Sequence, residues 1–543
     1  MKSANVSIFK IACLWPLFFV FATAMPAHLQ IKGNHSCIVG PPLEKPRNLR
    51  DYTIETCTIL IQFTDSRADT INHTPAKYDS MLYSTGVYQG QYRAGSLNDF
   101  FIENSYGTCN VVGGISGSHW YTSIYAYSYY DDNNYMLSNG YQLASDAVVL
   151  VDATVDFRQY DLDNDSHIDG VFVVHAGPGG EDTGDPHQCW SHAIPWFNYV
   201  TNDGVTIDGA TNVPEINLVT PDLDTTLCCV GVMCHELGHV VGLPDLYDYT
   251  RNTWGVGYWS LMGYGAWGAG GNTPWSPSHA DAWCKMQVNW LSPTPILSNT
   301  YSLKILDAET HPIAFRVWRN GIINDTFLIL ENRQNKGFDT PLPGAGLLIW
   351  HIDPRYSEYH NIVDLEEADG CDDLDYGWGY RPDPHYFHHE LGDAGDPFPG
   401  DNNTTIFDSL SYPSSNDNSG NPTFVTVKNI VLFADTLLCD ILINPFAISE
   451  MQNNITNSSI IAWPNPFRKN IELLVHSVDV TTVKVYDVTG KLVRILEGQL
   501  KADHCSFRWD GRDNRNTTLP AGVYWCISPD NALNAAIKII SLH

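Results

Sequence analysis

Apolar and polar positions follow two rhythms along this chain. "CTILIQFTD", Cys57–Asp65, is a short apolar-rich run closing on polar turn residues, the pattern of a buried strand. "GVFVVHAG", Gly170–Gly177, and "AVVLVDA", Ala147–Ala153, read in the same way as core strands. "SLNDFFIENSYG", Ser96–Gly107, opens on a serine and spaces its apolar residues at helical intervals, which predicts a capped amphipathic helix. This mixture predicts an α/β (α+β) domain over residues 52–300. From 301 to 445 short strands dominate, among them "AFRVW", "TFLILENRQ" and "GLLIWHID", separated by Gly, Pro and Asp, and a β-rich companion subdomain is expected there. "ISEMQNNITNSS" is polar and aperiodic, so 446–460 reads as a linker. Beyond it "KVYDVTGKLVRIL", "FRWDGRDN" and "AGVYWCIS" have the rhythm of a small β-sandwich over 461–543.

The first residues change the picture of compartment. Lys2 and Lys10 precede "IACLWPLFFVFATA", and Ala22, Thr23 and Ala24 form a small-residue cleavage pattern, so 1–24 is expected to be a signal peptide followed by a short lead over 25–51. The run is shorter than the roughly 20 apolar residues of a membrane span, and no later stretch has that character. Composition fits an exported protein. The net charge of −31 arises from 61 acidic against 30 basic residues while charged residues make up only 17% of the chain. That shortage of lysine and arginine argues against nucleic-acid or anionic-membrane partners and suits cation binding. Twelve cysteines remain once Cys13 leaves with the signal, and in an oxidising compartment some are expected to form disulfides.

The chemistry concentrates in "CHELGHVVGLPDLYD", Cys234–Asp248. On a helix His235 and His239 share a face and can bind one metal while Glu236 sits beside it. Neutral imidazole suits Zn²⁺, and a catalytic zinc keeps three protein ligands and an open position. Gly242 can end the helix in a left-handed conformation and Pro244 prevents its resumption, which lets the chain fold back and bring Asp245 to the metal. Downstream, "YWSLMGYG" puts Met262 in a glycine-flanked turn with Tyr264 two residues on.

The stretch "YWSLMGYG" resembles the methionine turn of metzincin peptidases. That likeness implies a zincin-like catalytic domain with His235, His239 and Asp245 as zinc ligands, Glu236 as general base, Met262 as the floor under the metal and Tyr264 as the oxyanion partner. Many metzincins carry histidine where this chain has Asp245. "SLNDFFIENSYG", "FDTPLPGAGLLIWHID", "LEEADG", "GDAGDPFPG" and "SPSHADAWCKMQVNWL" are similar to segments of immune inhibitor A type secreted metallopeptidases, over roughly Tyr52 to Pro445. The tail, with "WPNPF", "WDGRD" and "PAGVY", resembles the immunoglobulin-like domain of flagellar hook capping proteins and the sorting domains of type IX secretion substrates. It implies an outer-membrane secretion machinery as a partner and an extracellular or cell-surface location.

Further residues have two readings each. "YDLDNDSHIDG" spaces Asp161, Asp163, Asp165 and Asp169 so that several carboxylates can face one Ca²⁺, although Ser166 and Phe172 replace the glycine and glutamate of an EF-hand loop; a solvated acidic turn is the alternative. A second calcium site around Asp393 and Asp396 is a looser expectation carried by the resemblance. Cys37 could cap the zinc of a precursor as a thiolate, but a disulfide is the simpler reading, as it is for Cys234. Trp190, Trp254, Trp259 and Trp267 line a cleft or, more simply, pack the core. The function expected is hydrolysis of protein or peptide substrates by a zinc-activated water. The rivals are a catalytically silent surface adhesion or binding protein on the same fold, which an intact Glu236 disfavours, and a zinc hydrolase of non-peptide amides.

Overall fold

The computed structural model describes residues 48–542 apart from 50, 91–92, 131–137, 184, 186, 218–226, 249–251, 356–361, 376–390, 444–459, 464, 476–480, 489–490, 501–504 and 528–535. The expected signal peptide, the lead segment through residue 47 with Cys37, and the linker through residue 459 lie outside the described residues. Two compact units divide the chain, one comprising 1–293, 306–314 and 329–402, the other 294–305, 315–328 and 403–543.

The first unit is built on a seven-stranded sheet. Tyr52–Gln62 lies between Cys109–Ile115 and His167–Pro178, and Thr206–Ile216 follows, all parallel, with the short strand His192–Ile194 antiparallel at the edge. The registers Ile59↔Val173 and Val173↔Asn212 run through its centre. Both central strands are buried almost throughout, as parallel strands covered on both faces must be. The helix expected from "SLNDFFIENSYG" forms over Leu97–Asn104 with a full capping box: Ser96 Oγ accepts from Asp99 N at 2.9 Å and the Asp99 carboxylate accepts from Ser96 N at 3.0 Å.

"AVVLVDA" is not a strand. It forms the last turns of the helix Ser138–Asp152, in which Leu143, Ala144, Ala147, Val148 and Val151 are fully buried while Val149 is 57% exposed. Burial recurs at helical spacing, but the polar first half of that helix falls outside a seven-residue apolar window, and such a window cannot separate a buried strand from the buried end of a helix. Phe327–Arg333, of which 329–333 belong to this unit, Gly346–Ile352 and Val363–Leu365 lie in one sheet, the first two buried at every position.

In the second unit Thr300–Ile305, Thr436–Leu442, Thr426–Phe433 and Ile406–Phe407 form an antiparallel sheet. The tail makes two four-stranded sheets, Ile460–Trp463 with Ile471–Val475, Cys505–Trp509 and Gln499–Leu500, and Leu492–Glu497 with Thr482–Asp487, Gly522–Ile527 and Ala536–Ser541. Leu473, Val475, Phe507 and Trp509 from one sheet and Val483, Val485, Tyr524 and Ile539 from the other share one core, the packing of a sandwich. No helix among the described residues is long and apolar enough to cross a membrane.

The disulfide expectation fails for eight of the described cysteines. Cys57, Cys109, Cys234, Cys284, Cys371, Cys439, Cys505 and Cys526 are free thiols. Cys234, expected to brace the motif helix through a disulfide, is instead fully buried and packs as a small apolar side chain, a common fate of free cysteine.

Candidate metal centre

The motif forms the helix Val230–Val240, which packs against the strand Thr206–Ile216 and buries most of its circumference. Its end is a Schellman turn. Leu243 N donates to Gly238 O at 2.9 Å and Gly242 N to His239 O at 3.0 Å, with Gly242 at φ +103°, a value that L side chains rarely adopt. The chain then doubles back and Leu246 N donates to Met262 O at 2.8 Å, tying the returning segment to the methionine turn. Met262 is fully buried beneath the helix, and a Cβ on Gly238 would stand 2.8 Å from its sulfur, so glycine is what permits that approach.

These two ties bring three donors together. His235 Nε2 and His239 Nε2 lie 3.1 Å apart and stand 3.0 and 3.2 Å from Asp245 Oδ1. Ligands about 2.0–2.1 Å from a tetrahedral zinc are about 3.3 Å from one another, so the three donors match three corners of such a site to within about 0.3 Å. Tautomers agree with that use. His235 Nδ1 lies 2.8 Å from the carbonyl of Leu261 and His239 Nδ1 2.8 Å from that of Leu243, so each Nδ1–H donates there and each Nε2 keeps its lone pair for the centre. The residues fit a zinc ion.

Electrostatics bear the same stamp. Burial pushes the Glu236 carboxyl up to about 8, partly opposed by His235. Burial would also raise Asp245, but where the rings carry Nε2 protons in place of a metal ion, His239 and the hydrogen bonds from both rings hold it well below the usual carboxylate range. Burial lowers His239, but the charge and hydrogen bond of Asp245 together with the Leu243 carbonyl more than offset it, and the net shift is upward. Unpaired, such a buried carboxylate would be costly; here it faces a proton or a cation.

Tyr264 is half-buried, its ring 5.5 Å from that of Tyr247, which lies 6.3 Å from the His235 ring with the two planes only 17° apart. Trp254 and Trp259 are buried, and Trp259 Nε1 donates to Asp396 at 2.7 Å; Trp190 and Trp267 are half-buried.

Two acidic groups gather elsewhere in this unit. Glu55, Asp161 and Asp163 bring carboxylate oxygens within 4.8 Å of one another. Asp165 caps its own turn by accepting from His167 N, and Asp169 accepts from Tyr52 Oη at 2.9 Å and Glu55 N at 2.8 Å. Glu367, Asp369 and Asp396 form the other group; Asp393 accepts from Gly395 N at 2.5 Å. Glu55 was missed from sequence, although a carboxylate in the middle of an apolar strand is itself a signal. Glu367 and Asp369 lie in "LEEADG", a segment singled out for its resemblance but not as a ligand pattern.

Residues 50–291 match the immune inhibitor A peptidase M6 catalytic domain, and 469–526 match the FlgD Ig-like domain. The chain carries a peptidase M6 catalytic domain. Across 276 residues it is 28% identical to the pre-pro-metalloprotease PrtV of Vibrio cholerae, covering 43% of this chain and 29% of that protein. Immune inhibitor A of Bacillus thuringiensis is 27% identical over 319 residues, 50% of this chain and 46% of the relative. The chain thus spans less than half the length of these relatives. The M6 match ends at residue 291, whereas the compact unit around the motif also takes in 306–314 and 329–402.

Proposed function

We propose that this protein is a secreted zinc-dependent endopeptidase whose M6 domain has a zincin-like fold. The observation that carries the reading is the convergence of His235 Nε2, His239 Nε2 and Asp245 Oδ1 with both Nδ1 atoms engaged by backbone carbonyls. Its support from the comparisons is the peptidase M6 domain match and the name of one relative, a pre-pro-metalloprotease. These three residues would hold a zinc ion, which when bound would supply Lewis-acid chemistry and make a water acidic toward a pKa of roughly 7. Glu236, adjacent to His235 on the motif helix, takes the proton of the attacking water and returns it to the leaving amine. The Tyr264 hydroxyl donates to the oxygen that gains negative charge as the scissile carbonyl is attacked. His235 and His239 cannot rotate away while Leu261 and Leu243 hold their Nδ1 atoms.

One experiment tests chemistry and export together. The full chain is expressed in a host able to export it, and the medium is assayed on denatured casein before and after zinc chelation and zinc addition. Cleavage in the medium should vanish with the chelator and return with zinc; chelator-resistant cleavage would contradict the metal reading, and activity confined to cells would contradict export.

We also propose that Glu55, Asp161 and Asp163, with Asp165 and Asp169 alongside, hold a calcium ion, since Ca²⁺ takes six to eight oxygens and three carboxylates already converge. Saturating calcium should raise the thermal midpoint of the zinc-loaded protein by about 5 °C. The Asp163→Asn variant should lose that rise, and an equal rise in the variant would refute the assignment.

A further inference from the structure

The methionine turn does not hold itself in place. Leu261, whose carbonyl orients His235, is gripped from two sides by a buried cluster of ion pairs contributed from beyond the matched M6 segment, in which one arginine faces Asp339, Glu331 and Glu309. Arg333, at the end of the strand Phe327–Arg333, is fully buried; its Nε and Nη2 donate to Asp339 Oδ2 at 2.9 and 2.6 Å, and its Nη1 donates to the carbonyl of Trp259 at 3.1 Å. The other oxygen of Asp339 accepts from His279 N at 2.8 Å, and the His279 carbonyl in turn accepts from Leu261 N at 3.0 Å. Arg333 therefore holds the residue two before Leu261, and Asp339 holds Leu261 itself through the His279 peptide. Ser260, between them, donates through Oγ to Asp281 Oδ2 at 2.6 Å. On the side of the metal centre this arrangement fixes the Leu261 carbonyl, 2.8 Å from His235 Nδ1.

We infer that Arg333 and Asp339 are positioning residues of the zinc centre: their ion pair fixes the Trp259–Met262 turn, and through the Leu261 carbonyl sets the orientation and affinity of His235. Arginine is required because its planar fork serves the carboxylate and the carbonyl at once, where a lysine ammonium would keep the charge balance with Asp339 and release the buried Trp259 oxygen. Carbonyls that hold a metal-bound histidine through its second nitrogen tune affinity, and losing them costs roughly 10–100-fold. The functional catalytic unit accordingly extends past residue 291 to include at least Arg333 and Asp339. A purely structural ion pair would support the fold without altering the metal.

The inference rests on the zinc reading above, and the test separates the two. Zinc affinity is measured by competition with a chromogenic chelator, and the visible spectrum of the cobalt-substituted protein is recorded, for the full-length parent, Arg333→Lys and Arg333→Met/Asp339→Asn. Near-UV circular dichroism shows which samples are folded. Arg333→Lys keeps the pair's charges, so it decides the matter even where the double variant does not fold. The expected result is about tenfold weaker zinc binding in folded Arg333→Lys with an altered cobalt spectrum. Folded variants with the parent's affinity and spectrum, whatever their thermal midpoint, would overturn the positioning role while leaving the zinc site intact. A parent that binds no zinc would overturn both.

Discussion

The Glu236→Ala variant should hold about one zinc per chain, as the parent does, and cleave denatured casein at least about 10²–10⁴-fold more slowly. Glu236 lies between the two histidines in sequence and contributes nothing to the triangle of donors formed by His235, His239 and Asp245. Its removal deletes a buried carboxyl that is expensive to ionise, so the helix should tolerate the change. Metal analysis and progress curves on the same preparation check both halves. Zinc retained with undiminished cleavage would remove Glu236 from the mechanism, and zinc lost would show that it acts as a ligand.

The Asp245→Ala variant should behave in the opposite way, with zinc affinity lowered by more than about 100-fold and cleavage lost in proportion to the zinc lost. A ligand should cost more than an orienting partner, whose removal costs roughly 10–100-fold. The geometry makes the effect local: the return of the chain is secured by Gly242 and by Leu246 N on Met262 O, contacts that do not use the Asp245 side chain. Competition with a chromogenic chelator reads the affinity directly. An unchanged affinity would leave a two-histidine site and exclude Asp245 as third ligand.

Much of this site was legible because its logic is local. Two histidines four apart share a helical face whatever the rest of the chain does, and a glycine followed by Pro244 ends a helix by backbone sterics alone; the Schellman turn at Gly242 follows that logic. What holds the histidines was not legible. Leu261 O reaches His235 across 26 residues, and a backbone carbonyl has no sequence signature. Arg333 and Asp339 were hidden for the same reason, since a charged pair in "ENRQNKGFD" reads as a solvated strand end until its burial is known. At the level of elements, strands such as Phe327–Arg333 and Gly346–Ile352 declared themselves by short apolar runs between turn residues. Ala147–Asp152 misled for that very reason, being the buried end of a helix whose amphipathic period shows only over its whole length. The disulfide expectation came from compartment rather than from residues, and free Cys234 and Cys57 are instead fully buried in the core.

One zinc ion is expected among His235, His239 and Asp245. The most direct test of that placement is diffraction from crystals of the purified protein above and below the zinc absorption edge. An anomalous peak is expected about 2.0–2.1 Å from Nε2 of both histidines and about 2.0–2.2 Å from an Asp245 carboxylate oxygen. No peak among these three residues in protein that carries zinc by metal analysis, or a peak held by other side chains, would contradict it.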